Sequence, residues 1–169
     1  MIDNEARKQP MGITAAEIAA EVQPKPGAVL VLGRVGAGKT LALNALSAAF
    51  AQQGSKVTTV DDLPALTGLA DLSALHGTAA VGGDDARDAF RGAQVVIVFE
   101  LWGHQAAQVF PFLKNDIGHD WLHMPAELMV APRLTALVFR RSEAAEAALP
   151  VARLTLKPPV AQFRRHMPN

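Results

Sequence analysis

The sequence predicts an α/β fold, in which a mostly parallel sheet carries helices on both faces. Short apolar runs alternate with segments whose apolar residues recur at helical spacing, as in sheets wound with helices. The run QVVIVF at 94–99 is almost entirely apolar, as expected of a strand buried on both faces. A chain of 169 residues, 50% hydrophobic and 19% charged, is compatible with one packed domain.

The predicted elements follow one another from the N-terminus. Residues 1–12 are expected to form a flexible arm, and residues 13–169 a single domain. Thr14 and Glu17, spaced as a capping box, predict the start of a short helix. The segment 63–76 has a mixed pattern. Further strands are predicted at 28–33, 56–60, 94–99, 134–140 and 151–156, and further helices at 39–52 and from Gly103 to about Lys114.

Charge, cysteine content and hydropathy exclude several classes of protein. Sixteen basic residues balance sixteen acidic ones, so no overall field attracts nucleic acid or anionic lipid. The absence of cysteine excludes disulfides and thiolate metal sites. The N-terminus lacks the apolar core of a signal peptide, and no apolar run approaches the ~20 residues of a membrane span. The chain is therefore expected to be cytoplasmic, with neither direct nucleic-acid binding nor membrane insertion.

The stretch GRVGAGKT at 33–40 fits the phosphate-loop pattern G-x-x-x-x-G-K-[ST]. Its glycines allow backbone N–H groups to wrap around a phosphate, and Lys39 can reach the β- and γ-phosphates. The Thr40 hydroxyl suits Mg²⁺, and the flanking strand and helix aim a helix N-terminus at the anion. Mg-ATP is the expected ligand. The predicted contact residues are Gly33, Arg34, Val35, Gly36, Ala37, Gly38, Lys39, Thr40 and Leu41.

Carboxylates beyond the loop are the candidates for chemistry on the phosphate. Hydrolysis needs a carboxylate near the attacking water or the metal, usually where a neighbouring strand ends. Asp61 and Asp62 follow the strand predicted at 56–60, and Glu100 directly follows QVVIVF. Glu100 is the preferred catalytic residue, and both Glu100 and Asp62 are candidate Mg²⁺ ligands beside Thr40. The alternative for Glu100 is a surface position that caps the next helix.

Together these features resemble the motor domain of the traffic ATPases of type IV secretion, conjugation and type IV pilus machines. VTTVDD (57–62) resembles their Asp box, and DARDAFRGAQVVIVFELWG (85–103) resembles their arginine helix and Walker B strand. IGHD (117–120) resembles their His box. The resemblance implies a RecA-like P-loop NTPase that hydrolyses ATP with Mg²⁺ as a homo-oligomeric ring beside an inner-membrane machine. It assigns catalytic roles to Arg87, Arg91 and His119.

The chain also departs from that family. Trp102 stands where these ATPases usually carry an arginine, which favours nucleotide binding over fast turnover. Two other functions stay open. One is a small-molecule kinase of the shikimate or adenylylsulfate type, in which Asp61 or Asp62 would deprotonate an acceptor hydroxyl. The other is a nucleotide-binding regulator that does not hydrolyse its ligand.

Overall fold

The fold is defined by a computed structural model that describes residues 10–22, 28–34, 36–55, 58–60, 72–76, 90, 92–115, 125–129, 131–141 and 150–158. The described strands are β1 (Met11–Ile13), β2 (Val29–Leu32), β3 (Thr58–Val60), β4 (Leu72–His76), β5 (Val95–Val98), β6 (Thr135–Arg140) and β7 (Ala152–Thr155). The described helices are α1 (Ala15–Glu21), α2 (Lys39–Gln52) and α3 (Gly103–Asn115), with a 3-10 turn at Pro125–Leu128.

The described strands form one mixed sheet in the order β1-β7-β6-β5-β2-β4-β3, so the predicted α/β class is confirmed. Two neighbouring pairs, β1 with β7 and β2 with β5, are parallel. The other four neighbouring pairs are antiparallel. Five strands therefore run in one direction, while β4 and β6 run in the opposite direction. The sheet is mostly parallel in strand direction, although most of its ladders are antiparallel.

Helices cover both faces of the sheet, as predicted. On one face, α1 and α2 pack over Val29 and Val31 of β2. On the other face, α3 packs over Leu30 and Leu32 of the same strand. All four β2 residues are buried because successive side chains enter opposite hydrophobic layers. The same arrangement explains why β5 reads as a continuous apolar run rather than as alternating polar and apolar residues.

Local signals at the ends of the helices act as the sequence predicts. The Thr14 hydroxyl accepts a hydrogen bond from the Glu17 amide at 3.2 Å, and the Glu17 carboxylate accepts one from the Thr14 amide at 2.7 Å. This reciprocal capping box starts α1. At α3, the buried Gln105 side chain accepts a hydrogen bond from the Trp102 amide at 3.0 Å. These bonds satisfy amides that have no partner within their own helix.

The N-terminal segment differs from the prediction. Residues 11–13 form β1, which pairs in parallel with β7, so the predicted arm of residues 1–12 extends too far. Residues 1–9 lie outside the described part of the chain. A short strand with an exposed Met11 gives little periodic signal, and its pairing partner lies about 140 residues further along the sequence. Among the described helices, none combines the length and the apolar character needed to cross a membrane.

The packing of α2 on the sheet predicts a large loss of stability for Leu46→Ala. Leu46 is 0% exposed and belongs to the hydrophobic layer between α2 and the sheet. Its truncation removes buried methyl groups and leaves a cavity, so we expect the free energy of unfolding to fall by about 2–5 kcal/mol in chemical denaturation.

The matched control is Met11→Ala, a truncation of similar size at a residue that is 81% exposed. It should change the free energy of unfolding by less than about 0.5 kcal/mol. Equal losses in the two variants would contradict the assignment of Leu46 to the core.

Candidate functional site

The loop between β2 and α2 rests on the ring of Phe99, which directly follows β5 and is buried. A Cβ atom added to Gly33 would lie 2.8 Å from Phe99 Cβ. A Cβ atom added to Gly38 would lie 3.3 Å from Phe99 Cε1 and 3.1 Å from Leu134 Cδ2. A side chain at Gly33 would therefore overlap Phe99, and one at Gly38 would be in tight contact with Phe99 and Leu134, so the core lies close to the backbone at both ends of the loop.

Two glycines also provide the curvature of the loop. Gly36 has a φ of +75° and Gly38 a φ of +118°, values that other L-residues adopt rarely and at a cost. The Gly36 position is open in space, so its glycine is explained by conformation rather than by crowding. Backbone with these φ values is typical of concave loops whose amide N–H groups can bind an anion.

Lys39, the first residue of α2, brings a positive charge to this concave site. Its ammonium group donates hydrogen bonds to the carbonyl oxygens of Gly33 at 2.8 Å and Arg34 at 3.1 Å. Gly38 is the N-cap of α2 and provides no side-chain hydrogen bond to the first turn. The helix thus begins with amide donors and a partial positive charge beside a fixed ammonium. This arrangement is suited to binding phosphate.

Arg34 and Glu100 are joined through both backbone and side chains. The parallel ladder of β2 and β5 continues past the strands, with Phe99 donating to the Leu32 carbonyl at 2.8 Å and Arg34 donating to the Glu100 carbonyl at 2.9 Å. Side by side at the sheet edge, the Arg34 Nε and Nη2 atoms both lie 3.0 Å from Glu100 Oε2. Both side chains are 35% exposed, so solvent screens the pair and its main effect is to fix position.

A cavity of about 310 Å³ opens beside the loop. It is lined by Arg34, Gly36, Ala37, Glu100, Pro132, Arg133 and Thr135. The wall therefore combines the loop between β2 and α2, the segment just after β5 and the start of β6. Its charged groups are two guanidinium groups and one carboxylate.

The structure brings most of the predicted loop together with the preferred carboxylate, Glu100. The loop residues among the described part are Gly33, Arg34, Gly36, Ala37, Gly38, Lys39, Thr40 and Leu41. The predicted residues Val35, Asp61, Asp62, Arg87, Arg91 and His119 lie outside the described residues. Their roles stay predictions from the sequence and its family resemblance.

Arg133 and Thr135 are site residues that sequence reasoning missed. A strand was expected at 134–140, but its direction could not be read from its composition. The antiparallel register pairs Val98 with Leu137, and when continued it brings Thr135 level with Glu100. The start of β6 therefore lies at the same sheet edge as the end of β5. A parallel β6 would have placed Arg133 at the opposite edge.

The position of Thr40 is compatible with a magnesium ion that binds together with a phosphate ligand. No group of three or more His, Cys, Asp or Glu side chains is found among them. Thr40 lies exposed in the first turn of α2, where its hydroxyl can provide one oxygen ligand. Mg²⁺ bound with nucleotides commonly takes one or two protein oxygens and completes its shell with phosphate and water.

The close contact under the loop predicts that Gly33→Ala destabilises the protein. The added methyl group would lie 2.8 Å from Phe99 Cβ and 3.4 Å from Ala37 Cβ, and neither Cβ atom is the mobile end of a flexible side chain. We expect the free energy of unfolding to fall by about 1–3 kcal/mol in chemical denaturation, the usual cost of overpacking.

Gly12→Ala is the matched control, because a Cβ atom at Gly12 meets no atom within 4 Å and its φ is not positive. Its free energy of unfolding should stay within about 0.5 kcal/mol of the original protein. An unchanged stability for Gly33→Ala would show that the loop does not rest on Phe99.

In comparisons with protein-family models, with curated proteins and with solved structures, nothing matches this chain.

Proposed function

We propose that this protein binds a nucleoside triphosphate, with ATP and Mg²⁺ as the expected form, through the loop 33–40. The observation that carries the proposal is the Lys39 ammonium, held by the carbonyl oxygens of Gly33 and Arg34 at the N-terminus of α2. A lysine placed there meets the β- and γ-phosphates of a nucleotide whose phosphates follow the loop.

Three further features support the proposal, and the last two favour a polyphosphate over a single phosphate. Positive φ values at Gly36 and Gly38 give the loop the curvature typical of anion-binding loops. The cavity lined by Arg34 and Arg133 extends the positive surface beyond the loop. Thr40 lies in the first turn of α2, where a hydroxyl can bind the Mg²⁺ that accompanies a triphosphate.

The proposal predicts that Mg-ATP raises the melting temperature of the protein and that Lys39→Ala abolishes the rise. Ligand at ~100 times its dissociation constant adds roughly 2.7 kcal/mol to the free energy of unfolding. For a domain of this size, that amounts to roughly 5–10 °C in thermal denaturation. Lys39→Ala also removes two hydrogen bonds within the loop, so the quantity to compare is the shift that ATP causes in each variant.

Lys157→Ala is the control, because Lys157 is exposed and lies after β7. This variant should keep the full ATP-dependent shift. An equal shift in the original protein and in Lys39→Ala would remove the phosphate-loop assignment.

Hydrolysis of the bound nucleotide is a second candidate function, favoured by the position of Glu100. Its carbonyl oxygen lies 2.9 Å from the Arg34 amide, which brings its carboxylate to the rim of the loop. A carboxylate there can orient an attacking water, provided that it exchanges or shares its ion pair with Arg34. The RecA-like fold, the ring of subunits and the relation to traffic ATPases extend this candidate and are supported by the family resemblance alone.

The kinase and regulator alternatives are separated from this candidate by what happens to ATP. Consumption of ATP without an added acceptor supports hydrolysis, and consumption only with a phosphorylatable metabolite supports a kinase. Binding without consumption in either condition supports a nucleotide-binding regulator.

The ion pair predicts how Glu100→Gln and Arg34→Gln compare in ATP turnover. If Glu100 orients the water, Glu100→Gln should lower turnover by about 10²-fold or more. Arg34→Gln should then have a much smaller effect, because the carboxylate remains. If Glu100 instead only holds Arg34 in place, the two single variants should lose the same amount.

A variant that carries both Glu100→Gln and Arg34→Gln completes a double-mutant cycle. If the double variant loses no more ATP turnover than each single variant does, Arg34 and Glu100 act as one positional unit. Normal turnover in Glu100→Gln would exclude Glu100 as the catalytic carboxylate.

A further inference from the structure

We propose that Arg133 binds the terminal phosphate of the nucleotide held in the loop and makes the site prefer a triphosphate to a diphosphate. The inference rests on the proposed nucleotide binding and extends it to a residue outside the loop motif. It starts from the cavity beside the loop, which Arg133 lines together with Gly36 and Ala37.

The charge of this cavity selects an oxyanion. Arg34 and Glu100 form an ion pair, and their opposite charges largely offset each other. No hydrogen bond or ion pair joins the Arg133 side chain to another residue of the described part of the chain. Arg133 is exposed, so its guanidinium can rotate towards a ligand. The described charges of the cavity therefore sum to one positive charge, which favours an anion.

The size of the cavity limits what that anion can be. A volume of about 310 Å³ is near the lower limit of the 300–1,000 Å³ typical of small-molecule pockets. A cavity of this volume can hold a phosphoryl group that projects from the loop. It is too small to enclose the rest of the nucleotide. A guanidinium group binds phosphate oxygens through paired N–H donors. A diphosphate would end inside the loop and would not reach the donors of Arg133.

The backbone holds Arg133 at a fixed place relative to the loop. Leu134 has a φ of +58°, a conformation that is unfavourable for a branched side chain. The strain is offset by one hydrogen bond from the segment after β7 and by another within the turn itself. The Leu156 amide donates to the Leu134 carbonyl at 2.8 Å, and the Thr135 amide donates to the Pro132 carbonyl at 3.1 Å. Leu134 Cδ2 would lie 3.1 Å from a Cβ atom at Gly38, so this turn rests on the phosphate loop itself.

Strained turns kept by surrounding contacts are common where a side chain must be presented to a ligand. Here the turn carries Arg133 one residue before its strained position and Thr135 one residue after it. Thr135 is one of the few buried polar residues in the described part of the chain, and it also lines the cavity. The start of β6 therefore adds a guanidinium and a hydroxyl to the space in front of the loop.

Isothermal titration of Mg-ATP and Mg-ADP into Arg133→Ala tests the inference. We expect ATP binding to weaken by about 10-fold or more, the usual effect of losing a charge-assisted hydrogen bond. ADP binding should weaken by less than about 2-fold, because the diphosphate stays within the loop. Arg133→Lys, which keeps the charge but not the paired donors, should fall between the original protein and Arg133→Ala.

The control is Arg153→Ala, which removes an arginine on β7 that does not line the cavity. It should leave the ratio of ATP to ADP affinity unchanged. The same ratio in the original protein and in Arg133→Ala, with nucleotide binding intact, overturns the inference about Arg133 and leaves the proposed function standing. Absence of any ATP or ADP binding in the original protein overturns both.

The alternative ligand for Arg133 is a free oxyanion that binds in the cavity independently of the nucleotide. Inorganic phosphate titrated into the ADP-saturated protein distinguishes the two sources. Suppose that phosphate binds, that Arg133→Ala abolishes this binding, and that the ratio of ATP to ADP affinity stays unchanged. The cavity then binds an independent anion, and the assignment of Arg133 to the terminal phosphate is wrong. If Arg133→Ala lowers the ATP to ADP ratio, that assignment is supported.

Discussion

The parallel pairing of β2 with β5 is the constraint on which the rest of the site depends. Its register matches Leu32 with Val98, and the pairing continues for two residues beyond both strands. That continuation lays Gly33 against Phe99 and Arg34 beside Glu100. The first contact requires glycine at the start of the loop, and the second fixes a carboxylate at its rim. A loop motif and a buried strand, separate in sequence, thus become one structure.

The charges at this edge of the sheet determine how strongly a triphosphate would be repelled or attracted beside Glu100. A triphosphate would bring several negative charges next to the Glu100 carboxylate, and like charges at short range oppose binding. Lys39, Arg34 and Arg133 supply three positive charges around the same space, and Mg²⁺ would add more. Arg34 belongs to the loop and pairs with the Glu100 carboxylate, so a phosphate bound in the loop would compete with Glu100 for one guanidinium. In the proposed function, that competition would decide whether Glu100 acts on water or only holds Arg34.

Predictions from the sequence succeeded where the signal is local. The helix predicted at 39–52 has the observed bounds, because a glycine with positive φ ends the loop and another follows the helix. The capping box formed by Thr14 and Glu17 starts α1 as expected. Predictions failed where the signal is distant. β1 lies partly within the predicted arm, and β4 arises from a segment whose pattern was mixed, since an edge or hairpin strand is stabilised by a partner elsewhere in the chain.

The sequence by itself determined the glycine-rich loop at 33–40, the apolar strands beside it and the carboxylate that follows β5, because each is encoded in consecutive residues whose spacing reflects backbone geometry. Only the tertiary structure decided that β6 runs antiparallel to β5. A buried strand has the same composition whichever way it points, since side-chain burial does not depend on chain direction. Direction nevertheless decides which end of a strand meets the site. For that reason Glu100 could be predicted, whereas Arg133 could be found only in the folded chain.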